Sequence, residues 1–134
     1  MDPINETLIQ EERSYIFENR IDMANQLREC GNRSFRVNDF EKAKEFYEKS
    51  LYHSDFDEAQ LSLELTDAHV KMVYNTRDLV FLNLARTLIR LDQPRLAVSF
   101  LTDILKTNPR PPASQEISLK ARYILGVAYN NTQQ

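Results

Sequence analysis

Glycine and cysteine are scarce in this sequence. Its 134 residues contain two glycines and one cysteine. Glycine supports tight turns, so its scarcity, together with long stretches of alternating charged and apolar residues, favours helices over sheets and turns. The single cysteine, Cys30, excludes an internal disulfide and is typical of a reducing compartment. We therefore expect an all-α domain in the cytoplasm.

The sequence also lacks the features of exported, membrane-spanning and nucleic-acid-binding proteins. Its first fifteen residues are acidic and polar, unlike a secretory signal or an arginine-rich transit peptide. The longest apolar run, near residues 79–84, is far shorter than the roughly 20 residues that cross a bilayer. The formal net charge is −3, whereas a nucleic-acid-binding domain is usually basic. We expect neither a membrane nor a nucleic acid as partner.

Internal repetition is the most informative feature of the sequence. Residues 24–52 and 78–109 share one pattern, in which two apolar-periodic segments flank a turn signal. The turn signal is Asn38-Asp39 in the first stretch and Asp92-Gln93-Pro94 in the second. Residues 115–131 begin the pattern again. The pattern predicts two helical hairpins followed by the first helix of a third.

The remaining segments are expected to cap and connect these hairpins. Residues 1–22 predict an N-terminal helix or cap with a break near residues 19–22, which leaves residues 23–134 as the repeat domain. Residues 53–77 predict an extended connection that lengthens one or both neighbouring helices around an acidic loop at 54–58.

The repeated residues resemble the tetratricopeptide repeat, a 34-residue helix-turn-helix unit. In order along the chain, the matching positions are Leu27, Gly31, Phe40, Ala43, Tyr47, Ser50 and Leu51; then Phe81, Leu84, Ala85, Leu88, Ala97, Leu101 and Pro109; then Leu125, Gly126, Ala128 and Tyr129. The resemblance implies a right-handed superhelical solenoid of about two and a half repeats plus an N-terminal helix. The long insertion after the first repeat resembles the repeat domains of co-chaperones and large immunophilins, although the isomerase domain has no counterpart in this sequence.

The resemblance also implies a binding site for peptides. Tetratricopeptide co-chaperones hold the C-terminal Glu-Glu-Val-Asp tail of cytosolic heat-shock chaperones, of the ninety- or seventy-kilodalton class, in a clamp of cations and asparagines. Asn32, Asn83 and Lys120 match clamp residues by identity and Arg28 by charge, while Ile124 stands where the family has arginine. Arg86 and Arg122 are nearby candidates to replace the missing cation, but helical phase does not place Arg122 on the same face as Lys120.

Other functions remain as alternatives. An apolar Ile124 would suit a scaffold that binds an internal segment of another protein, and an uncovered last helix would allow a homodimer. A cofactor, a metal site and an enzyme are not expected, because His53 and His69 lack ligand spacing and no base is indicated near Cys30. An adaptor for protein partners is the function that the resemblance favours.

Overall fold

A computed structural model describes residues 3–132 of the chain, and the side chains from residue 7 onward. All regular secondary structure in this part of the chain is helical and none of it is β-strand, so the prediction of an all-α protein is confirmed. No helix within it is both long and apolar enough to cross a membrane. The α-helices are α1 (Pro3–Gln10), α2 (Phe17–Arg36), α3 (Phe40–His53), α4 (Asp67–Arg90), α5 (Pro94–Ile104) and α6 (Gln115–Thr132).

The N-terminal region divides at an earlier point than the sequence indicates. Helix α1 ends at Gln10 and α2 begins at Phe17, so the break lies at residues 11–16 rather than 19–22. The physical reason is that residues 17–22 are tied to the end of α3. The Arg20 guanidinium donates to the backbone oxygens of His53 at 2.8 Å and Asp55 at 2.6 Å. These bonds make this stretch the first turns of α2.

The turns of the two hairpins have the same geometry, 54 residues apart. Asn38 and Asp92 both adopt the left-handed conformation, with φ of 63° and 61°. Asparagine and aspartate tolerate this conformation better than other residues with a side chain. In each turn, the backbone N–H of the following residue donates to the carbonyl oxygen of the residue five positions earlier. The N···O distance is 2.9 Å for Asp39 and 2.8 Å for Gln93, and these bonds close the end of the preceding helix.

The connection between the hairpins lengthens the first helix of the second one. Helix α3 ends at His53, a short π-helical turn covers Gln60–Glu64, and α4 begins at Asp67. Thr66 caps α4, because its hydroxyl accepts from the backbone N–H of His69 at 3.1 Å. The connection packs Phe56, Leu61 and Leu65 into a small apolar cluster with α2 and α4. The first helix of the second hairpin, α4, therefore begins well before residue 78.

Consecutive helices pack on one another from α2 to α6. Helices α2, α4 and α6 also contact each other in order along the chain. The main core lies between α3, α4, α5 and α6, and each buried aliphatic side chain contributes about 1.5–3 kcal/mol to stability. Its fully buried members include Val80, Leu84, Leu88, Ala97, Leu101 and Ile104.

Candidate functional site

Asn32 and Asn83 lie where α2 meets α4, and their side chains are in direct contact. Asn83 Nδ2 donates to Asn32 Oδ1 at 2.9 Å. The Tyr47 hydroxyl, from α3, donates to the same Asn32 oxygen at 2.7 Å. Three helices therefore fix the position of one amide side chain.

Arg86 fixes the orientation of this network. Its guanidinium donates to Asn83 Oδ1 at 3.0 Å. Because arginine can only donate, Asn83 must direct its oxygen to Arg86 and its NH₂ group to Asn32. Asn32 must then direct its oxygen to Asn83. The Asn32 NH₂ group makes no hydrogen bond within the described part of the chain, so it is free to donate to a ligand.

A cavity of about 250 Å³ opens beside this network. It combines amide, phenol and guanidinium groups with one apolar ring. Its lining residues are Asn32, Phe35, Arg36, Tyr47, Asn83 and Arg86. Such a lining can bind an anion through charge and several donated hydrogen bonds at once.

The electrostatic environment of the cavity is cationic. Burial raises the pKa of the Tyr47 hydroxyl well above its ordinary range, while the guanidinium groups of Arg28, Arg36 and Arg86 partly oppose that rise. Tyr47 therefore remains protonated and able to donate. Glu29 is a nearby anion, but it is half exposed and lies 3.8 Å from Arg28. The cavity thus has more positive than negative charge around it.

The structure brings together only part of the predicted clamp. Asn32 and Asn83 are bonded, and Arg28 lies one helical turn before Asn32, with its Nε atom buried and without a hydrogen-bond partner. Lys120 is exposed on α6 and pairs with Glu116 at 3.2 Å. Ile124 is 3% exposed and belongs to the main core. Neither Lys120 nor Ile124 lines the cavity.

Arg36, Arg86 and Tyr47 contribute more to the site than the sequence pattern indicates. The pattern assigns Tyr47 to the core, which is correct for its ring, but its hydroxyl reaches Asn32. Arg36 and Arg86 follow Asn32 and Asn83 by four and three residues, the spacing that places two residues on one helical face. Arg86 is already a candidate from the sequence, and this spacing is the signal that could also have identified Arg36.

The histidines serve packing in this structure. His53 is buried, and neither ring nitrogen has a hydrogen-bond partner. Burial, helped by the nearby cations Lys49, Arg20 and Arg13, lowers the pKa of His53 to about 4. His69 stacks on the Phe17 ring with a centroid distance of 4.2 Å. No cluster of three or more histidine, cysteine or acidic side chains suited to a metal occurs among the described residues.

Comparison with known proteins gives a distant likeness to an immunophilin-type enzyme. No family model matches the chain, and no solved structure matches it. A curated relative is the peptidyl-prolyl cis-trans isomerase PASTICCINO1 of Arabidopsis thaliana, which is 28% identical over 113 residues. The match covers 84% of this chain but 16% of that protein. The chain therefore corresponds to a small part of a much longer relative.

Proposed function

We propose that the chain is a protein-interaction adaptor of the tetratricopeptide type, with its helices arranged as a right-handed solenoid. Three observations support this proposal. Consecutive helices pack in order, the two hairpin turns share one geometry, and the distant relative is named as a prolyl isomerase. The isomerase activity belongs to the relative. The role proposed for this chain is binding without catalysis.

The proposed ligand is the acidic C-terminal end of a peptide. Its terminal carboxylate would accept from the free Asn32 NH₂ group and be neutralised by Arg36 and Arg86. Arg28 would receive a second carboxylate one turn away. Charge-assisted hydrogen bonds of this kind each contribute about 1.5–3 kcal/mol. The Glu-Glu-Val-Asp tail of a cytosolic heat-shock chaperone has this chemistry, which would place the chain in the cytoplasm.

The bond chain from Arg86 through Asn83 to Asn32 is the observation that carries the proposal. It holds two amides in one orientation before any ligand arrives, so little ordering is left for the binding step. Arg86 also places a cation next to the two asparagines. This cation would replace the one that the clamp lacks because Ile124 stands where the family has arginine. Lys120 would contribute only at the edge, because its ammonium group is exposed and already paired with Glu116.

Peptide titration tests this proposal. A peptide ending in Glu-Glu-Val-Asp should bind with modest, salt-sensitive affinity, because the contact is small and ionic. Amidating its C-terminus, or replacing Asn83 by alanine, should weaken binding by about tenfold. Arg95→Ala removes an exposed cation from α5 and serves as the control, with an unchanged dissociation constant. Equal binding of the free and amidated peptides would refute the proposal.

A second candidate function is self-association through α6. Its outer face exposes Leu119 at 57%, Tyr123 at 74% and Tyr129 at 49%. Gly126 lies on the same helix with no atom near the position that a Cβ would occupy. By contrast, Ile124 lies in the main core, so it is not exposed to contact an apolar segment of another protein.

Sedimentation velocity tests whether the chain associates with a second copy through α6. A concentration-dependent increase in sedimentation coefficient that Tyr123→Glu abolishes would support a dimer through α6. A monomer at all concentrations would leave the peptide adaptor as the function that the structure favours.

A further inference from the structure

A second cavity, of about 270 Å³, lies away from the Asn32–Asn83 network and shares no lining residue with its cavity. Its walls come from the connection after α3, the middle of α4, the end of α5 and the loop before α6. The connection is the segment between the hairpins that leads into the lengthened α4. The cavity therefore lies where this connection packs against the second hairpin.

Most of the wall is apolar, and much of it is aromatic. Phe56, Tyr74 and Phe81 are among the residues that line the cavity. Leu61, Val73 and Pro109 complete the apolar surface. The volume of about 270 Å³ lies just below the range of about 300–1,000 Å³ that small-molecule sites occupy, so the cavity suits a small ligand.

Three cationic side chains also line the cavity, and two of them already have carboxylate partners. Arg110 binds Asp78 through two hydrogen bonds, at 2.6 and 2.5 Å. Lys106 binds Asp103 at 2.7 Å near the exposed edge. Both cations are therefore neutralised by carboxylates of the protein.

Arg77 is the exception. Its guanidinium donates only to neutral acceptors, the Leu51 backbone oxygen at 3.0 Å and the Ser54 hydroxyl at 3.3 Å. Burial lowers the pKa of Arg77, while the carboxylates of Asp55, Asp78 and Asp103 oppose this effect. Within the described residues Arg77 has no direct carboxylate partner. Its partly buried charge can be satisfied by an anion that enters the cavity.

We propose that this cavity binds a small aromatic monocarboxylate, with the ring between Phe56, Tyr74 and Phe81 and the carboxylate on Arg77. The geometry also sets the charge of the ligand. The Asp55 carboxylate lines the same cavity and has no ion-pair partner among the described residues, so a second negative charge would be repelled. This site is independent of the peptide site proposed above.

Three probes of similar shape test the assignment. Phenylacetate carries the proposed charge, phenylacetamide carries none, and phenethylamine carries the opposite charge. Ligand titration followed by ¹⁵N chemical shifts should show phenylacetate binding about tenfold or more tightly than phenylacetamide. The shifts should concentrate in residues 54–61 and 73–81. N-acetylphenylalanine, added in parallel, reports whether the carboxylate can come from a peptide end instead of a free acid.

Two variants locate the site. Arg77→Gln removes the charge but keeps an amide that can donate to Leu51, so it should remove the advantage of phenylacetate over phenylacetamide. Lys106→Gln removes a cation that is already paired at the edge, and it should change the affinity by less than about threefold. Leu61→Trp fills the cavity and should abolish binding of both probes, which keeps the test decisive if Arg77→Gln does not fold.

The proposal is overturned by either of two results. One is that none of the probes shifts resonances of the cavity residues. The other is that phenylacetamide or phenethylamine binds as tightly as phenylacetate, because the unpaired charge of Arg77 would then play no part.

Discussion

The ring of Tyr47 lies against Gly31 so closely that no larger residue fits there. A Cβ atom at position 31 would stand 2.5 Å from Tyr47 Cε1 and 2.7 Å from Cδ1. The same ring carries the hydroxyl that donates to Asn32. One glycine on α2 thus allows α3 to approach and also sets the position of the candidate site.

Replacing Gly31 by alanine should destabilise the protein. The new methyl group would push the Tyr47 ring out of place, and overpacking of this kind costs about 1–3 kcal/mol. Urea denaturation measures the change in the free energy of unfolding. We also expect weaker peptide binding, because displacement of Tyr47 removes one of the bonds that hold Asn32.

Gly126→Ala is the matched control for this prediction. Gly126 lies in the interior of α6, and no atom outside its own helical neighbourhood stands within 4 Å of the place that a Cβ would take. Alanine should therefore stabilise α6 by up to about 1 kcal/mol through helix propensity alone. If both substitutions change stability equally, the contact between Tyr47 and Gly31 has no special importance.

Arg86 should be needed for both charge and orientation in the candidate site. Arg86→Met removes the donor that fixes Asn83, so the two amides can turn and compete with the ligand. We expect peptide affinity to fall by more than tenfold, since charge and amide orientation are lost together. Isothermal titration with the Glu-Glu-Val-Asp peptide gives the dissociation constant.

Arg86→Lys separates the two effects. Lysine keeps the charge, but its compact ammonium group does not reproduce the guanidinium N–H that donates to Asn83 Oδ1 at 3.0 Å, so it should restore only part of the affinity. Full recovery with lysine would mean that charge alone matters and that the fixed orientation of the amides does not. No loss with Arg86→Met would remove Arg86 from the site.

The repeated hairpins are predictable from sequence because their causes are local. Turn residues such as Asn38 and Asp92 indicate their geometry directly, and apolar periodicity identifies the buried faces. The start of α2 is harder to predict. Residues 17–22 join α2 because Arg20 bonds backbone groups at the end of α3, more than thirty residues away, and no local pattern reports such a contact.

The candidate site is predictable only in part for a similar reason. Asn32 and Asn83 are identified through the resemblance to a known repeat, and the structure brings them together. Ile124 enters the predicted site by position alone, yet its burial depends on how α6 packs on the core. The role of Tyr47 depends on a distance between two helices, which a periodic pattern does not contain, whereas Arg86 reaches Asn83 within α4.

His53 should make the protein less stable in mild acid. Its folded-state pKa of about 4 lies below the unfolded value of about 6.5, so the unfolded chain binds more protons between these values. The contribution of neutral, buried His53 to the free energy of unfolding is complete above pH 6.5 and decreases as the pH falls toward 4. We expect a loss of about 2 kcal/mol between pH 7 and pH 4.5, measured by urea denaturation across that range.

His53→Phe isolates this contribution. The variant cannot take up a proton at position 53, so its stability should depend less on pH between 7 and 4.5 than that of the original chain. His69→Gln is the control, because it removes the other histidine and should leave the His53-dependent loss in place. Identical pH dependence of the original chain and His53→Phe would show that another group causes the loss.

The buried ion pair between Asp78 and Arg110 should be costly to break on one side only. The two side chains are 2% and 6% exposed, and the pair anchors the loop before α6 to α4. Arg110→Ala leaves the Asp78 carboxylate buried without its partner, which costs about 3–5 kcal/mol. Asp78→Ala leaves the Arg110 guanidinium without its carboxylate partner, although the backbone oxygens of Asp103 and Pro111 still accept hydrogen bonds from it.

Replacing both residues distinguishes an unpaired charge from lost packing. Asp78→Leu combined with Arg110→Met removes both charges at similar volume, so we expect it to cost less than Arg110→Ala alone. The exposed pair of Lys106 and Asp103 provides the control, since Lys106→Ala should cost less than about 1 kcal/mol. If the double variant loses as much stability as the sum of the two alanine variants, the pair contributes a net stabilisation and the cost of an unpaired charge is not the cause.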